Sequence, residues 1–157
     1  MSIETGVVVS LQGEPIHWHL PPGRSAGYLP DSRDLWDVLW ENRTNLLGFA
    51  HSHPGRGDWP YPSHEDLTTF SAVEAGLGQR LLWWIMSESS VVVYSWVGPG
   101  LYDYKGKYDL QAIYNSLEKE DSSWAARLHS LSYRLNASLT PQQEADYMPN
   151  VNLDEDR

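Results

Sequence analysis

The chain has no cysteine among its 157 residues. Disulfides are therefore excluded, and any metal site must be built from His, Asp and Glu, donors that suit zinc or a similar divalent ion. Basic residues are also scarce: 11 Lys and Arg stand against 21 Asp and Glu, for a net charge of −10. A duplex-binding protein needs a basic face, so no nucleic-acid partner is expected. No apolar run approaches the roughly 20 residues that span a bilayer. The opening MSIETGVVVSL carries an acid and no basic leader region. Neither a membrane partner nor a signal peptide is expected, and the expected location is cytoplasmic. No fixed-period repeat is present.

Aromatic residues, by contrast, are plentiful. Eight Trp and nine Tyr can fill a core and still leave some to line a groove or a partner surface. The length fits one domain with a substantial core. Val-rich Ile3 to Leu11 reads as a buried strand, followed by a Gly13-Glu14-Pro15 turn. Ile16 to Leu20 alternates with period 2 and reads as a second strand, with His17 and His19 facing solvent. The spacing predicts a helix over Ser32 to Arg43, capped by Ser32 and presenting Leu35, Trp36, Leu39 and Trp40 on one face. Leu46 to His53 reads as a strand, and Ser63 opens a helix that Gly76 and Gly78 end. Leu81 to Met86 and Val91 to Val97 read as buried strands, and Gly98 to Gly106 as a connection. Tyr108 to Glu120 and Ser123 to Leu135 look helical, with His129 on a surface. A compact α/β domain over residues 1–136 is expected, with an acidic, flexible tail at 137–157.

One stretch stands out. GFAHSHPGRGDWPYPSHED, Gly48 to Asp66, holds three of the six His, three Pro and three acids in nineteen residues. His51 and His53 are i and i+2 at a strand end, so their rings point to the same side. Ser63 and Asp66 are i and i+3 at a helix start and share a face. The Pro- and Gly-rich loop between them can fold the helix start back onto the strand end. Two imidazoles and one carboxylate would then leave a fourth tetrahedral position for water, the arrangement of a catalytic zinc site. A carboxylate must also move the water's proton, and a donor must hold the oxyanion. Glu4 is the candidate for the first task and Ser63 for the second. Ser63 with Asp66 also reads as a helix cap, and both jobs can coexist. His64 and Glu65 neighbour the site off that face.

At H-x-H-P followed by S-x-x-D, with a Glu on an early strand, the chain resembles the JAB/JAMM metalloprotease family, also called the catalytic MPN domain. The resemblance covers roughly residues 3 to 100. It implies an α/β, MPN/JAB-like (cytidine-deaminase-like) fold, a mixed sheet flanked by helices. It also implies Zn2+ held by His51, His53 and Asp66, Glu4 as general base and Ser63 as oxyanion support. The spacer before Ser63 is about two residues longer than the commonest family spacing, which a loop absorbs. Family members often carry a second Gly where Val7 stands and a helix before the Glu that this sequence does not show; Glu14 is the fallback base. The implied activity is hydrolysis of isopeptide or peptide bonds beside ubiquitin or ubiquitin-like tails. The small, Cys-free chain looks most like bacterial stand-alone members. An extended tail could add to a sheet edge, with Trp59 and Tyr61 either lining its groove or packing on the loop's own prolines. Two alternatives stay open: a metal-dependent hydrolase of other small peptides or amides, and a non-enzymatic MPN-like scaffold.

Overall fold

A computed structural model describes residues 3–112 of the chain. Six strands form one mixed sheet in the order β2-β1-β3-β4-β5-β6. The strands are β1 (Gly6–Ser10), β2 (Pro15–His19), β3 (Leu46–Ser52), β4 (Leu82–Met86), β5 (Ser90–Gly98) and β6 (Leu101–Asp109). Helix α1 (Arg33–Glu41) lies between β2 and β3, and α2 (His64–Leu77) between β3 and β4. Only β3 and β4 pair in parallel, because α2 carries the chain back across the sheet between them. All other pairings are antiparallel.

Alternation along the strands divides the core into two faces. Val8, Phe49, Trp83, Ile85 and Val92 point to the side covered by Leu35 and Leu39 of α1 and Phe70 of α2. Val7, Val9, Ala50, Trp84, Met86, Val91 and Val93 are buried on the opposite side. Phe70 stacks on Trp83 at 4.1 Å between ring centroids, which fixes α2 against the sheet centre. Among the described residues no helix is long and apolar enough to cross a membrane.

The helices follow their sequence signals closely. Ser32 Oγ accepts from Leu35 N at 3.1 Å and caps α1. The expected apolar face of α1 divides, however. Leu35 and Leu39 are buried, whereas Trp40 is exposed and stacks between Trp36 and the Arg43 guanidinium. Gly76 does not end α2; it lies inside the helix, where a Cβ would stand 2.7 Å from the Trp36 ring. Gly78 is the residue that ends it, in the left-handed region at φ 70°.

Three expectations need correction. The Gly98 to Gly106 connection is mostly strand: β6 pairs with β5 along its length and the turn shrinks to Pro99 and Gly100. An irregularity between the Tyr94 and Val93 pairings leaves Lys105 unpaired and absorbs Gly106 without ending the strand. Tyr108 and Asp109 accordingly belong to β6, and helix begins only at Leu110. His19 does not face solvent; it is 3% exposed and its Nε2 lies 2.6 Å from the Pro30 carbonyl. His17 pairs with Val8 and His19 with Gly6, so both His lie on the helix side, while Ile16 is bulged between the Val8 and Val9 pairings. Burial lowers the pKa of His19. The rest of the 108–120 helix, the 123–135 helix with His129, the boundary at 136 and the acidic tail lie outside the described residues.

At Gly48 the sheet leaves no room for a side chain. A Cβ there would run into the Leu82 carbonyl oxygen on the paired strand. Backbone cannot yield as a side-chain tip can. Gly48→Ala is therefore expected to destabilise the fold by about 2–3 kcal/mol, at the upper end of overpacking costs. Urea denaturation would check it, and a loss below about 0.5 kcal/mol would show that the strands separate there easily.

Candidate metal centre

The centre forms where β3 ends and α2 begins. His51 and His53 are two residues apart on β3 and its extension, so both rings face the helix side. His51 is wedged by Phe49 and Phe70, at 6.2 and 6.5 Å between ring centroids. His53 is tied to the next strand through its backbone N–H, which donates to Met86 O at 2.8 Å. The first residues of the chain close the other side. Thr5 N donates to Ser52 Oγ, Ser52 N donates to Thr5 O, and Glu4 N donates to Ser25 O. Arg24 Nη1 donates to Thr5 Oγ1 at 2.9 Å, an additional tie on the segment that carries Glu4.

From α2 comes Asp66, positioned by a reciprocal cap. Ser63 Oγ accepts from Asp66 N at 3.0 Å, and Ser63 N donates to Asp66 Oδ2 at 2.8 Å. The same Oδ2 lies 3.3 Å from His51 Nε2 and 3.0 Å from His53 Nε2, and the two Nε2 atoms are 2.9 Å apart. Burial opposes ionisation of Asp66, but hydrogen bonds from His51, His53 and the Ser63 N–H outweigh it and hold the carboxyl far below its ordinary range. Glu4 is buried, with Oε1 3.8 Å from His53 Nε2. Burial pushes its carboxyl up to about 7; His53 and Arg56 pull the other way, and Asp66 adds to the rise.

Two overlapping donor sets can be drawn here. Glu4, His51 and His53 offer atoms all within 4.8 Å of one another. His51, His53 and Asp66 form a smaller triangle with edges of 2.9 to 3.3 Å. Bonds of 2.0–2.2 Å in tetrahedral geometry require ligand edges of about 3.3 Å, which the smaller triangle approaches on every side. Donor chemistry and spacing therefore fit a zinc-like ion held by His51, His53 and Asp66. Glu4 stands off from that triangle. His53 Nδ1 is buried with no hydrogen-bond partner among the described residues, so packing and the backbone tie to Met86 hold that ring.

A cleft of about 310 Å³ opens over the triangle and is lined by Glu4, His53, Ser63 and Asp66. The structure thus brings Glu4, His51, His53, Ser63 and Asp66 into one place. Glu14 lies elsewhere, in the turn at the opposite end of β1. Six residues of extended chain from Glu4 to Ser10 span roughly 20 Å, so Glu4 alone of the two acids is at the site. His64 and Glu65 are exposed on the cleft rim. Trp59 and Tyr61 stack on each other, and Trp59 meets Tyr104 of β6 edge-on at 5.1 Å. They line a separate aromatic groove of about 490 Å³ with Tyr94 and Tyr102. Tyr94 O–H donates to Pro60 O, joining that groove to the loop beside the centre.

Sequence reasoning missed the cleft's outer wall, Tyr28 and Asp31 from the β2–α1 loop and Arg56 from the β3–α2 loop. The one available signal was Arg56 itself, set between two glycines in an otherwise acidic stretch.

A mixed sheet with its parallel pair at the centre, and two His from the end of one of those strands facing a capped Asp, define an α/β domain whose clustered side chains are compatible with a metal ion. The chain belongs to the prokaryotic homologs of the JAB domain, whose family model matches residues 4–97. That span runs from Glu4 to Val97, the last residue but one of β5, and contains all five residues of the centre. No curated protein matches the chain.

Proposed function

We propose that the chain is a zinc-dependent peptidase or isopeptidase that cleaves conjugates or precursors of ubiquitin-like proteins. The observation that carries this reading is the triangle of His51 Nε2, His53 Nε2 and Asp66 Oδ2, open to a cleft that also holds the Glu4 carboxylate. A zinc ion held by that triangle would supply Lewis acidity, polarising the scissile carbonyl and lowering the pKa of a water to about 7. Glu4 is buried and reaches the triangle without joining it, the placement of a base that takes a proton from water and gives it to the leaving amine. Ser63 Oγ accepts from Asp66 N, which leaves its own O–H free to donate into the cleft toward a developing oxyanion. Asp66, kept ionised by its hydrogen bonds, balances charge beside the two imidazoles.

The substrate part of the proposal is supported by the aromatic groove that continues from the loop. Trp59, Tyr61 and Tyr104 offer exposed rings beside a sheet edge, where an extended tail can pair its backbone.

Metal removal tests the centre. Purified protein is expected to carry close to one zinc per chain and to cleave ubiquitin-like fusions. Dialysis against a chelator should abolish cleavage, and added zinc should restore it. His51→Ala should lose both metal and cleavage. Cleavage of short peptides alone would move the substrate to small amides. Less than about half a zinc per chain, with no activity on zinc addition, would leave a binding scaffold.

A further inference from the structure

The cleft over the triangle is lined by four carboxylates, those of Glu4, Asp31, Glu65 and Asp66, and by one Lys or Arg, Arg56. Arg56 is exposed at the cleft wall, within a chain of net charge −10. The guanidinium of Arg56 makes no hydrogen bond or ion pair among the described residues; only its backbone N–H is used, donating to His53 O at 3.3 Å. The backbone on both sides of it is clamped to the β4–β5 turn. Gly55 N donates to both oxygens of the Glu88 carboxylate, at 3.0 and 3.1 Å. Gly57 O accepts from Ser87 Oγ, and Ser89 Oγ donates to Asp58 Oδ1 at 2.8 Å. Gly55 and Gly57 are both in the left-handed region, at φ 78° and 69°, so the loop turns sharply on each side of Arg56. The result is a fixed backbone position at the cleft wall that presents a planar cation, close enough to act on Glu4 but hydrogen-bonded to no described side chain.

We infer that Arg56 is a specificity-determining residue that binds a carboxylate of the substrate next to the scissile bond. A guanidinium offers a fork of N–H donors that matches a carboxylate bidentately, and it does so best from a pre-positioned backbone. The surrounding acids repel anionic substrates in general, so a carboxylate is tolerated at one place, opposite Arg56. This rests on the hydrolase reading above. The carboxylate has two sources: an Asp or Glu side chain beside the cleaved bond, or the free α-carboxylate of a short leaving segment.

The test uses the full chain loaded with zinc and a set of Gly/Ala hexapeptides. Each peptide carries Glu or Gln at one position and ends in a free or an amidated C terminus. The protein is expected to favour one carboxylate-bearing member over its neutral partner by about tenfold in kcat/KM, mainly through KM. Arg56→Gln should bring that ratio close to one, and Arg56→Lys should leave an intermediate ratio, because a point charge lacks the bidentate fork. A preference for Glu identifies a side-chain carboxylate; a preference for the free C terminus identifies the α-carboxylate. No preference in the parent protein, or a preference that survives Arg56→Gln, overturns the inference. If no peptide is cleaved, calorimetric binding of the same set separates the two ideas. A carboxylate preference in binding that Arg56→Gln removes keeps Arg56 as a recognition residue while the hydrolase reading fails. Equal binding of all members overturns the inference on its own.

Discussion

Glu4→Gln is expected to lower cleavage by about 10²- to 10⁴-fold while the zinc content of the protein stays at one per chain. The substitution keeps the shape of the side chain and removes only its ability to take a proton. Glu4 is held by backbone ties, from its own N–H to Ser25 O and from Thr5 to Ser52, and Gln leaves both in place. Its Oε1 is 3.8 Å from His53 Nε2, beyond hydrogen-bond range and outside the smaller donor triangle. Loss of cleavage with zinc retained is the signature of a base. Loss of zinc together with cleavage would instead make Glu4 a ligand, and the donor set of Glu4, His51 and His53 would then be the true one. Full cleavage by the variant would remove Glu4 from the chemistry altogether. Zinc analysis beside a rate measurement on one substrate distinguishes all three results.

The centre was legible because each half of it is a local pattern. H-x-H on a strand and S-x-x-D on a helix start each fix the relative direction of their side chains within a few residues. The distance between the halves was not local, and it is closed by the 54–62 loop, whose length sequence alone does not convert into a position. The same distinction explains the misread elements. β6 carries Gly106 and follows Gly98, Pro99 and Gly100, all of which read locally as loop, yet pairing with β5 outweighs them. His19 looked like the outward half of an alternating strand, but the sheet is buried on both faces, and pairing with Gly6 puts His19 on the helix side against Phe49. The wall formed by Tyr28, Asp31 and Arg56 comes from two loops that only the folded sheet brings together. Glu74 appeared in sequence as one more residue on the helical face that holds Phe70 and Val73. Nothing local marks it as a carboxylate that accepts four hydrogen bonds.

That bonding makes Glu74 the largest expected stability effect away from the metal centre. Its side chain is fully buried. Oε2 accepts from Leu81 N at 2.9 Å and from Trp83 Nε1 at 3.0 Å. Oε1 accepts from Tyr102 O–H at 2.5 Å and from Arg80 Nη1 at 3.1 Å. One carboxylate therefore joins the end of α2 to the start of β4 and to β6. Glu74→Ala would leave the buried N–H groups of Leu81 and Trp83 without an acceptor and open a cavity beside Trp83, while Arg80, largely exposed, would turn to water. The expected cost is about 3–5 kcal/mol, within the range for breaking a buried charged network. At roughly 2–4 °C per kcal/mol for a chain of this size, the melting temperature should fall by about 6–20 °C. Glu74→Gln keeps one oxygen but turns an NH2 group toward the donors of the other, so its cost should fall between those of the parent and the alanine variant. Asp66 lies eight residues earlier on α2, about 12 Å along the axis, so the folded fraction of either variant should still bind zinc. A loss under about 1 kcal/mol for Glu74→Ala would mean that water or a rearranged Tyr102 replaces the carboxylate. The join between α2, β4 and β6 would then rest mainly on apolar packing, with Phe70 stacked on Trp83 and edge-on to Tyr102.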